Sequence, residues 1–471
     1  MQARFTYATG DARLLLAAGL IVGLALACVP LPRPKVVPAN APAAEFSAIR
    51  ALDHVRAVAQ KPHPPGSEEH ARVRDYIVGQ LTAMGLAPQV EAGVSEFNRG
   101  RFHAKSYVEN IVARLPGTAS SRPVMLAAHY DSVGRGPGAG DDGHGVAVLL
   151  ETLRALRAGP PLRNDVIFLI TDGEEAGLLG AFLFMREHPW RHDAAVTLNF
   201  EARGTSGRSN MFETSTDNEW LIEALQAAVP HANATSVAYE IYRRMPNGTD
   251  FSVFKEGGLA GMNFAFIEHP EFYHTAQDNV QHLDRVSVQE QGRYALTLTR
   301  LFGDRDLSRH EGGDAVYFPT PFTSLIVYPA DWAMPLALAE LAAILAAAAA
   351  GLSRRATGSW MAAPLLIVGV AHLWTVQTAA GASYLLAWPL AAATVAYALL
   401  VSAPPKLYIG WRTSLMALCA LPPFLVIVPL LPNLVVALTL RGATPVLAGA
   451  GALLLVCLLP QLALMSRGEY R

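Results

Sequence analysis

The fold class is indicated most clearly by residues 123–151, PVMLAAHYDSVGRGPGAGDDGHGVAVLLE. It begins with a short apolar run that ends near His129, continues through a Gly-rich turn with two adjacent aspartates, and closes on an apolar pattern of helical length. A short apolar run bounded by turn residues is typical of a buried strand. The stretch therefore predicts a strand, a turn and a helix, which is the repeating unit of an α/β domain.

The same alternation extends over residues 45–310. Four more apolar runs predict buried strands: VENIVARL (108–115), DVIFLIT (165–171), AAVTLNF (194–200) and GMNFAFI (261–267). Helical patterns lie between several of them, and two further helices are predicted between Ser47 and Met84. We therefore expect a mainly parallel mixed sheet with helices on both faces. In such sheets, ligands bind beyond the carboxyl ends of the strands.

Ionisable side chains follow the predicted strand ends. They are His129, Asp131, Asp141, Asp142, Asp172, Glu174, Glu175, Glu201 and His274. Carboxylates crowded at one edge repel one another, and bound cations remove that conflict. The chain has no cysteine between residues 29 and 418, so the ligands there must offer nitrogen and oxygen. This donor set suits zinc, with manganese or cobalt possible.

The spacing of these residues suggests separate tasks. Asp131 follows His129 by two residues, so in extended chain it is placed to accept the ring N–H of that histidine. Adjacent Glu174 and Glu175 divide naturally into a metal ligand and a general base. Two metals bridged by one carboxylate are a common arrangement in aminopeptidases. The sequence therefore predicts a two-metal site with one glutamate left free to act on a water molecule.

Both ends of the chain have the composition of membrane segments. The 471 residues are 52% hydrophobic and only 16% charged, and the net charge of −2 gives no indication of nucleic acid as a partner. The run 14–29 predicts a signal peptide or signal anchor, and about five spans are predicted at 332–352, 360–377, 383–402, 413–430 and 444–464. Most basic loop residues then fall on the side of the N-terminus, which places the domain on the non-cytoplasmic side.

The expected organisation follows from these shifts in composition. It comprises a signal segment (1–30), a Pro-rich linker (31–44), the α/β domain (45–310), a second linker (311–331) and a membrane domain of about five helices (332–471). The expected partners are peptide substrates and the lipid bilayer, and the oligomeric state is left open.

Six ordered motifs resemble the M28 metallopeptidases, the aminopeptidase Y family. They are PHPPGSEEHARVRDYI (62–77), HYDS (129–132), GAGDDGHGVAVLLE (138–151), FLITDGEEAGLLGA (168–181), NFEARG (199–204) and YHTAQDN (273–279). The resemblance covers roughly residues 45 to 300 and implies the zinc-peptidase fold, which is phosphorylase/hydrolase-like. A membrane domain after the peptidase unit is similar to the endoplasmic reticulum metallopeptidase (Fxna-like) branch, which usually has more spans.

The resemblance also implies roles for individual residues. Two zinc ions per chain would be held by His129, Asp141, Glu175, Glu201 and His274, with Asp141 as the bridge. Glu174 would be the general base, and Asp131 would orient His129. The family pattern Gly-Ala-Asp-Asp-Asn is replaced by Gly-Ala-Gly-Asp-Asp, with Asp142 in the place of the asparagine and a cis peptide expected between Asp141 and Asp142. Candidates for substrate contact or for supporting the ligands are Asp142, Asp250, Tyr273 and Asp278.

Other interpretations remain beside the aminopeptidase. The same fold could carry a glutaminyl cyclase-like acyl transfer, which typically uses one zinc, or a receptor or assembly module without catalysis. All five ligand positions are occupied here, which favours hydrolysis. Three further histidines are assigned no metal: His144 is expected to line the pocket or begin a helix, while His63 and His70 are expected at the surface or at a helix cap.

Overall fold

The computed structural model describes residues 33–99, 102–243, 245–309, 312–319 and 325–332. All of these residues belong to one compact unit. The signal segment 14–29 and the predicted spans beyond Trp332 lie outside the described residues, so both stay predictions. Within the described ranges, no helix combines the length and the apolar character needed to cross a bilayer.

An eight-stranded mixed sheet forms the centre of the unit, in the order β1-β2-β4-β3-β5-β8-β6-β7. Its strands are β1 (Gln89–Arg99), β2 (Phe102–Leu115), β3 (Val124–His129), β4 (Val166–Thr171), β5 (Val196–Ala202), β6 (Asn210–Thr214), β7 (Asn233–Ala234) and β8 (Gly261–Phe266). The four central strands β4, β3, β5 and β8 run parallel. Toward one edge β2 pairs antiparallel with β4 and β1 with β2, and toward the other β6 pairs antiparallel with β8 and parallel with β7. The five predicted strands are present, and the α/β architecture is confirmed.

Helices cover both faces of the sheet. They are α1 (Ala48–Val58), α2 (Glu68–Ala83), α3 (His144–Arg157), α4 (Leu179–Glu187), α5 (Glu219–Ala228), α6 (Ser236–Tyr242), α7 (Asp250–Glu256) and α8 (Arg285–Asp304). Alternate strand residues face opposite sides, as the two-residue period requires. In β4, Phe168 and Ile170 join the larger core under α1, α3 and α8, while Ile167 and Leu169 join the core under α4 and α7. Both faces of the sheet are therefore covered by helices and shielded from water, which explains the fully apolar sequences of the central strands.

The helix starts follow ordinary capping chemistry. Ser47 and Ser67 accept the backbone N–H groups of Arg50 and His70 at the starts of α1 and α2. Asp284 accepts two backbone N–H groups at the start of α8. Such side chains satisfy amides that the first turn leaves without partners. The two predicted helices between Ser47 and Met84 are thus present on either side of the break at residues 61–67.

The two predicted linkers contain ordered structure where they are described. Residues 33–44 lie along the domain, where the carbonyl oxygens of Ala39 and Ala43 accept from Arg50 and Arg154. In the second segment, β9 (Ala315–Phe318) and β10 (Ile326–Pro329) form a separate antiparallel pair, followed by a short turn of helix at Ala330–Trp332. The described parts of both segments therefore belong to the folded unit.

Candidate metal centre

The carboxyl ends of three neighbouring parallel strands carry the charged residues. His129 is the last residue of β3, Glu174 and Glu175 follow β4 in the next turn, and Glu201 lies near the end of β5. Parallel strands end at the same edge of a sheet, so these side chains meet there. His274 reaches the same place from the loop after β8, in a left-handed backbone conformation with φ of 59°.

Asp141 lies at the centre of the cluster, between the two histidines. Its Oδ1 is 3.2 Å from Nε2 of His129, and its Oδ2 is 3.1 Å from Nε2 of His274. A carboxylate placed between two imidazoles in this way presents one oxygen to each side. Asp141 can therefore serve two neighbouring positions at once.

Two groups of three side chains share Asp141. One consists of His129, Asp141 and Glu201, and the other of Asp141, Glu175 and His274; within each group the ligand atoms lie within 4.8 Å of one another. In the second group, Glu175 Oε2 is 2.9 Å from His274 Nε2. In the first, Glu201 Oε2 is 3.7 Å from His129 Nε2. The structure thus brings together all five residues that the sequence assigned to metal binding.

A tight turn between β3 and α3 presents Asp141. Asp278 accepts the backbone N–H groups of Gly140 and Asp141 at 2.6 and 3.1 Å, which anchors the turn to the loop that carries His274. Gly140 has no room for a side chain, because a Cβ there would lie 2.5 Å from the carbonyl oxygen of Gly204. The peptide between Asp141 and Asp142 is cis, as expected from the sequence.

Asp142 faces away from the two histidines of the cluster. Its Oδ2 accepts the backbone N–H of His129 at 3.2 Å, and its Oδ1 accepts that of Gly145 at 3.1 Å. The same Oδ1 lies 3.1 Å from Nδ1 of His144, the buried first residue of α3. His144 also contacts Gln291 through Nε2 at 3.0 Å. Asp142 and His144 therefore form a buried pair behind the turn, and His144 belongs to neither group of three.

Asp131 connects His129 with the turn that carries the two glutamates. The Nδ1 of His129 lies 3.1 Å from the backbone oxygen of Asp131 and 3.4 Å from its carboxylate. The carboxylate itself accepts the backbone N–H groups of Glu174 and Glu175 at 3.0 and 3.2 Å. Asp131 thus touches His129 as expected, but its carboxylate mainly holds the glutamate turn.

Asp250 and Tyr273 flank the site. Asp250, the first residue of α7, is buried and accepts the hydroxyl of Thr171 at the end of β4, while its Oδ1 has no partner among the described residues. Tyr273 stacks on the ring of His274 with a centroid separation of 3.7 Å. The ring of Tyr273 also lies under the guanidinium of Arg203, at 5.6 Å.

Burial and crowding determine how the protein alone would titrate here. Burial, with nearby carboxylates, raises the pKa of Glu174 and of Glu201 well above the ordinary range. Burial and the charge of Asp141 raise the pKa of Glu175 to about 8. Burial lowers the pKa of His274, but hydrogen bonds to Asp141 and Glu175 outweigh it and raise the value to about 9. The cluster therefore tolerates its negative charge only with protons or other cations present.

Two histidines that were expected at the surface or at a helix cap are buried. His63 and His70 are 1% and 2% exposed, although the backbone N–H of His70 does lie in the cap of α2, where Ser67 accepts it. His70 pairs through Nε2 with Asp172 at 2.7 Å and stacks on Tyr130. A single histidine in a polar helix gives no signal of burial, because the partner that makes burial favourable lies 102 positions away.

Asn199 is a site residue that sequence reasoning missed. Its Nδ2 donates to Glu201 Oε1 at 3.1 Å and to Asn263 Oδ1 at 3.0 Å on the neighbouring strand β8. Asn263 in turn donates to Glu213 Oε2 at 3.1 Å, and Glu213 pairs with Lys255. The signal was available, because residues two apart on a strand point to the same side.

The domain is similar to known sequences. Residues 110–299 match Peptidase family M28. The chain is 31% identical over 312 residues to endoplasmic reticulum metallopeptidase 1 of Rattus norvegicus, covering 60% of this chain and 34% of that protein. It is 33% identical over 236 residues to a vacuolar membrane protease of Candida albicans (strain WO-1), covering 49% and 27%. The chain thus spans about a third of the length of these curated relatives.

Solved structures with a similar fold include two kinds of enzyme. An aminopeptidase from Aneurinibacillus sp. strain AM-1 aligns with a TM-score of 0.44 at 13% identity, covering 55% of this chain and 94% of that one. A glutaminyl cyclase from Porphyromonas gingivalis aligns with a TM-score of 0.44 at 21% identity, covering 54% and 97%.

Proposed function

Because residues 110–299 match Peptidase family M28, we propose that this chain is a membrane-anchored, zinc-dependent aminopeptidase that hydrolyses the N-terminal residues of peptides. The observation that carries the proposal is the carboxylate of Asp141, which lies between Nε2 of His129 and Nε2 of His274. Each histidine has a second carboxylate beside it, from Glu201 or Glu175.

The residues present fit a pair of zinc ions. Each group of three offers one imidazole and two carboxylates, which are ordinary zinc ligands. One group is buried and the other partly exposed, as a site open to substrate requires. In addition, Glu175 Oε1 is buried without a hydrogen-bond partner among the described residues, so an acceptor remains free in the cluster. His129, Asp141 and Glu201 would hold one ion, and Asp141, Glu175 and His274 the other.

When bound there, zinc would supply a Lewis acid for the scissile carbonyl and would make water more acidic. Glu174 belongs to neither group of three, so its carboxylate remains free to move protons. We assign it the role of general base toward the attacking water and of general acid toward the leaving amine. Asp131 fixes the backbone of Glu174 and so positions that carboxylate.

The decisive experiment combines metal content with substrate range. The purified chain should contain about two zinc ions and should cleave aminoacyl-anilides with a free amine but not the N-blocked forms. About one zinc ion together with cyclisation of an N-terminal glutamine would instead establish a glutaminyl cyclase-like enzyme. A folded protein with neither metal nor turnover would leave a receptor or assembly module.

Membrane anchoring is a separate part of the proposal. It is supported by the apolar composition of residues 14–29 and 332–464 and by the name of the related vacuolar membrane protease. We expect the protein to resist alkaline extraction from membranes. The peptidase domain should be digested by protease added on the non-cytoplasmic side and protected from the cytoplasmic side; protection in the reverse sense would contradict the proposed topology.

A further inference from the structure

Arg203 stands two residues beyond Glu201, at the point where β5 ends. Its backbone N–H donates to the carbonyl oxygen of Phe266 at 3.0 Å, so the chain is still held beside β8 there. In extended chain, side chains two positions apart point to the same side. Arg203 is therefore directed toward the edge of the sheet at which the metal cluster lies.

The Arg203 guanidinium is held over an aromatic ring next to a proposed ligand. Its Cζ lies 5.6 Å from the ring centre of Tyr273, and that ring is 3.7 Å from the ring of His274. The distance from the Arg203 guanidinium to the ring of His274 is therefore at most the sum of these two distances. A cation over an aromatic face is stabilised by the ring quadrupole, which favours this position over free motion in solvent.

The loop that carries Arg203 is fixed on both sides. The carbonyl oxygen of Glu268 accepts the backbone N–H groups of Thr205 and Ser206. The carbonyl oxygen of Gly204 approaches Gly140 so closely that no Cβ fits there. The guanidinium is exposed, and among the described residues no carboxylate pairs with it. A positive charge without an ion-pair partner therefore remains at the rim of the cluster.

We propose that Arg203 is a specificity-determining residue that binds a carboxylate on the residue following the scissile bond. This inference rests on the proposed peptidase function. Consecutive Cα atoms of a peptide are about 3.8 Å apart, so with the scissile carbonyl at the cluster the residue after the scissile bond lies within reach of a side chain at the rim. The planar guanidinium pairs with a carboxylate through two parallel hydrogen bonds. The source of the carboxylate is the free C-terminus of a dipeptide, so the enzyme favours dipeptides.

The test uses the full-length chain loaded with zinc and three substrates: Ala-Ala, Ala-Ala-amide and Ala-Asp-amide. The wild type should cleave Ala-Ala with a kcat/KM about tenfold or more above that of Ala-Ala-amide, the effect of one charge-assisted contact. Arg203→Gln should abolish this preference while leaving zinc content and the rate on Ala-Ala-amide unchanged. Arg203→Lys should retain part of the preference, because lysine keeps the positive charge but lacks the planar pair of N–H donors that binds both carboxylate oxygens.

Arg135→Gln is the matched control. Arg135 is another exposed arginine at this rim, on a loop whose Gly136 lies against the carbonyl oxygen of Thr275. The Arg135→Gln variant should keep the preference for Ala-Ala, because the proposal requires a contact with Arg203 and not merely positive charge near the cluster. Equal loss in Arg135→Gln and Arg203→Gln would overturn the proposal.

The remaining outcomes are also decisive. A rate on Ala-Asp-amide above that on Ala-Ala-amide, lost in Arg203→Gln, would support the same contact with an acidic side chain. Cleavage of all three substrates at equal rates would overturn the role of Arg203 and leave the peptidase intact. Failure to cleave any of them would overturn the proposed function and this inference with it.

Discussion

The carboxylate of Asp131 accepts the backbone N–H of Glu174 at 3.0 Å. Its second oxygen accepts the next amide along the chain at 3.2 Å, and its own carbonyl oxygen lies 3.1 Å from the ring of His129. One buried residue therefore joins the end of β3 to the turn after β4. Both oxygens of the carboxylate are used, so the position of the proposed general base depends on a side chain that touches no substrate.

Replacing Asp131 with asparagine should separate this positioning role from metal binding. The amide side chain introduced by Asp131→Asn has only one acceptor oxygen, so one backbone N–H of the turn would lose its partner and face an NH₂ group. We expect kcat/KM to fall roughly 10- to 100-fold and the unfolding free energy to fall by about 1–3 kcal/mol. Steady-state kinetics and urea denaturation measure the two effects. Asp53→Asn, at an exposed position on α1, should change neither.

Glu174→Gln should retain metal and lose nearly all turnover. The residue is in neither group of three, so removing its charge leaves the proposed ligands in place. The amide cannot take a proton from water, and a loss of at least about 100-fold in kcat is expected for a missing general base. Metal analysis beside kinetics gives both readings. Loss of zinc in this variant would assign Glu174 as a ligand instead.

His274→Ala should behave differently, losing metal and activity together. Its ring contacts both Asp141 and Glu175, so its removal opens one of the two groups. Metal analysis should show about one zinc ion or fewer per chain. An intact pair of zinc ions in this variant would contradict the proposed ligand set.

Proton release should accompany zinc binding. In the metal-free protein, the pKa of His274 is raised to about 9 and that of Glu175 to about 8, so protons are bound at this pair at neutral pH. A metal must displace those protons, and its apparent affinity should therefore rise as the pH increases through 8 and 9. Calorimetric titrations in buffers of different ionisation enthalpy count the released protons. Affinity that is independent of pH across this window would contradict the prediction.

His274 and Glu175 also determine whether the stability of the metal-free protein rises or falls with pH. His274 has a folded pKa above its ordinary 6.5, so its stabilising contribution is complete below pH 6.5 and is lost as the pH rises through about 9. Glu175, whose folded pKa exceeds its ordinary 4.5, also favours the folded state less as the pH rises through about 8. The metal-free protein should therefore unfold more readily at pH 9 than at neutral pH, and added zinc should restore its stability.

The fold was predictable where burial leaves a signature in the sequence. The central strands are apolar along their whole length because both sheet faces are covered, and β3, β4, β5 and β8 were all predicted for that reason. Strand β1 was missed. Its sequence, QVEAGVSEFNR, mixes polar and apolar residues because it lies at the sheet edge, with Val90 and Val94 exposed.

The convergence of charged residues was predictable for the same topological reason, since parallel strands end at one edge. What the sequence did not indicate were partners far apart along the chain. Asp278 was a candidate for supporting the ligands, but its contact with the turn of Asp141, 137 positions away, was not indicated, and neither was the pair of Asp172 with the buried His70. Such contacts depend on how loops cross the end of the sheet, and no local pattern encodes that.

Asn199→Leu should weaken metal binding by the group that contains Glu201. Asn199 donates to Glu201 Oε1, which leaves Oε2 directed toward His129. Leucine has the same branching at Cγ and the same number of side-chain heavy atoms but no donor, so Glu201 would lose its fixed orientation while Asn263 lost a partner. Zinc affinity at one of two sites should fall roughly 10- to 100-fold. Thr82→Val, at an exposed position of α2, is a control, and unchanged affinity in Asn199→Leu would show that Glu201 is oriented without this amide.

The segment 33–44 should contribute to stability even though its composition suggests a flexible spacer. Arg33 pairs with Asp284 at 3.0 Å, and the backbone N–H of Val37 donates to Gln289 at 2.9 Å. Three arginines donate to carbonyl oxygens along residues 39–45: Arg50, Arg154 and Arg300. Two of these arginines also pair with Glu151, which is fully buried. The segment is therefore bound to the domain mainly through its backbone. Because every residue type has a backbone carbonyl, the side chains of the segment give no sign of this binding in the sequence.

A fragment of residues 45–332 should thus be less stable than one of residues 33–332, by about 2–4 kcal/mol, because the truncation removes several of these hydrogen bonds. Urea denaturation of both fragments measures the difference. Replacing Arg33 with glutamine in the longer fragment should cost about 1 kcal/mol, because its pair with Asp284 is partly exposed. If the hydrogen bonds to carbonyl oxygens account for the loss, the truncation will lower the free energy of unfolding severalfold more than the replacement of Arg33 does. Equal midpoints for the two fragments would show that residues 33–44 lie on the domain without stabilising it.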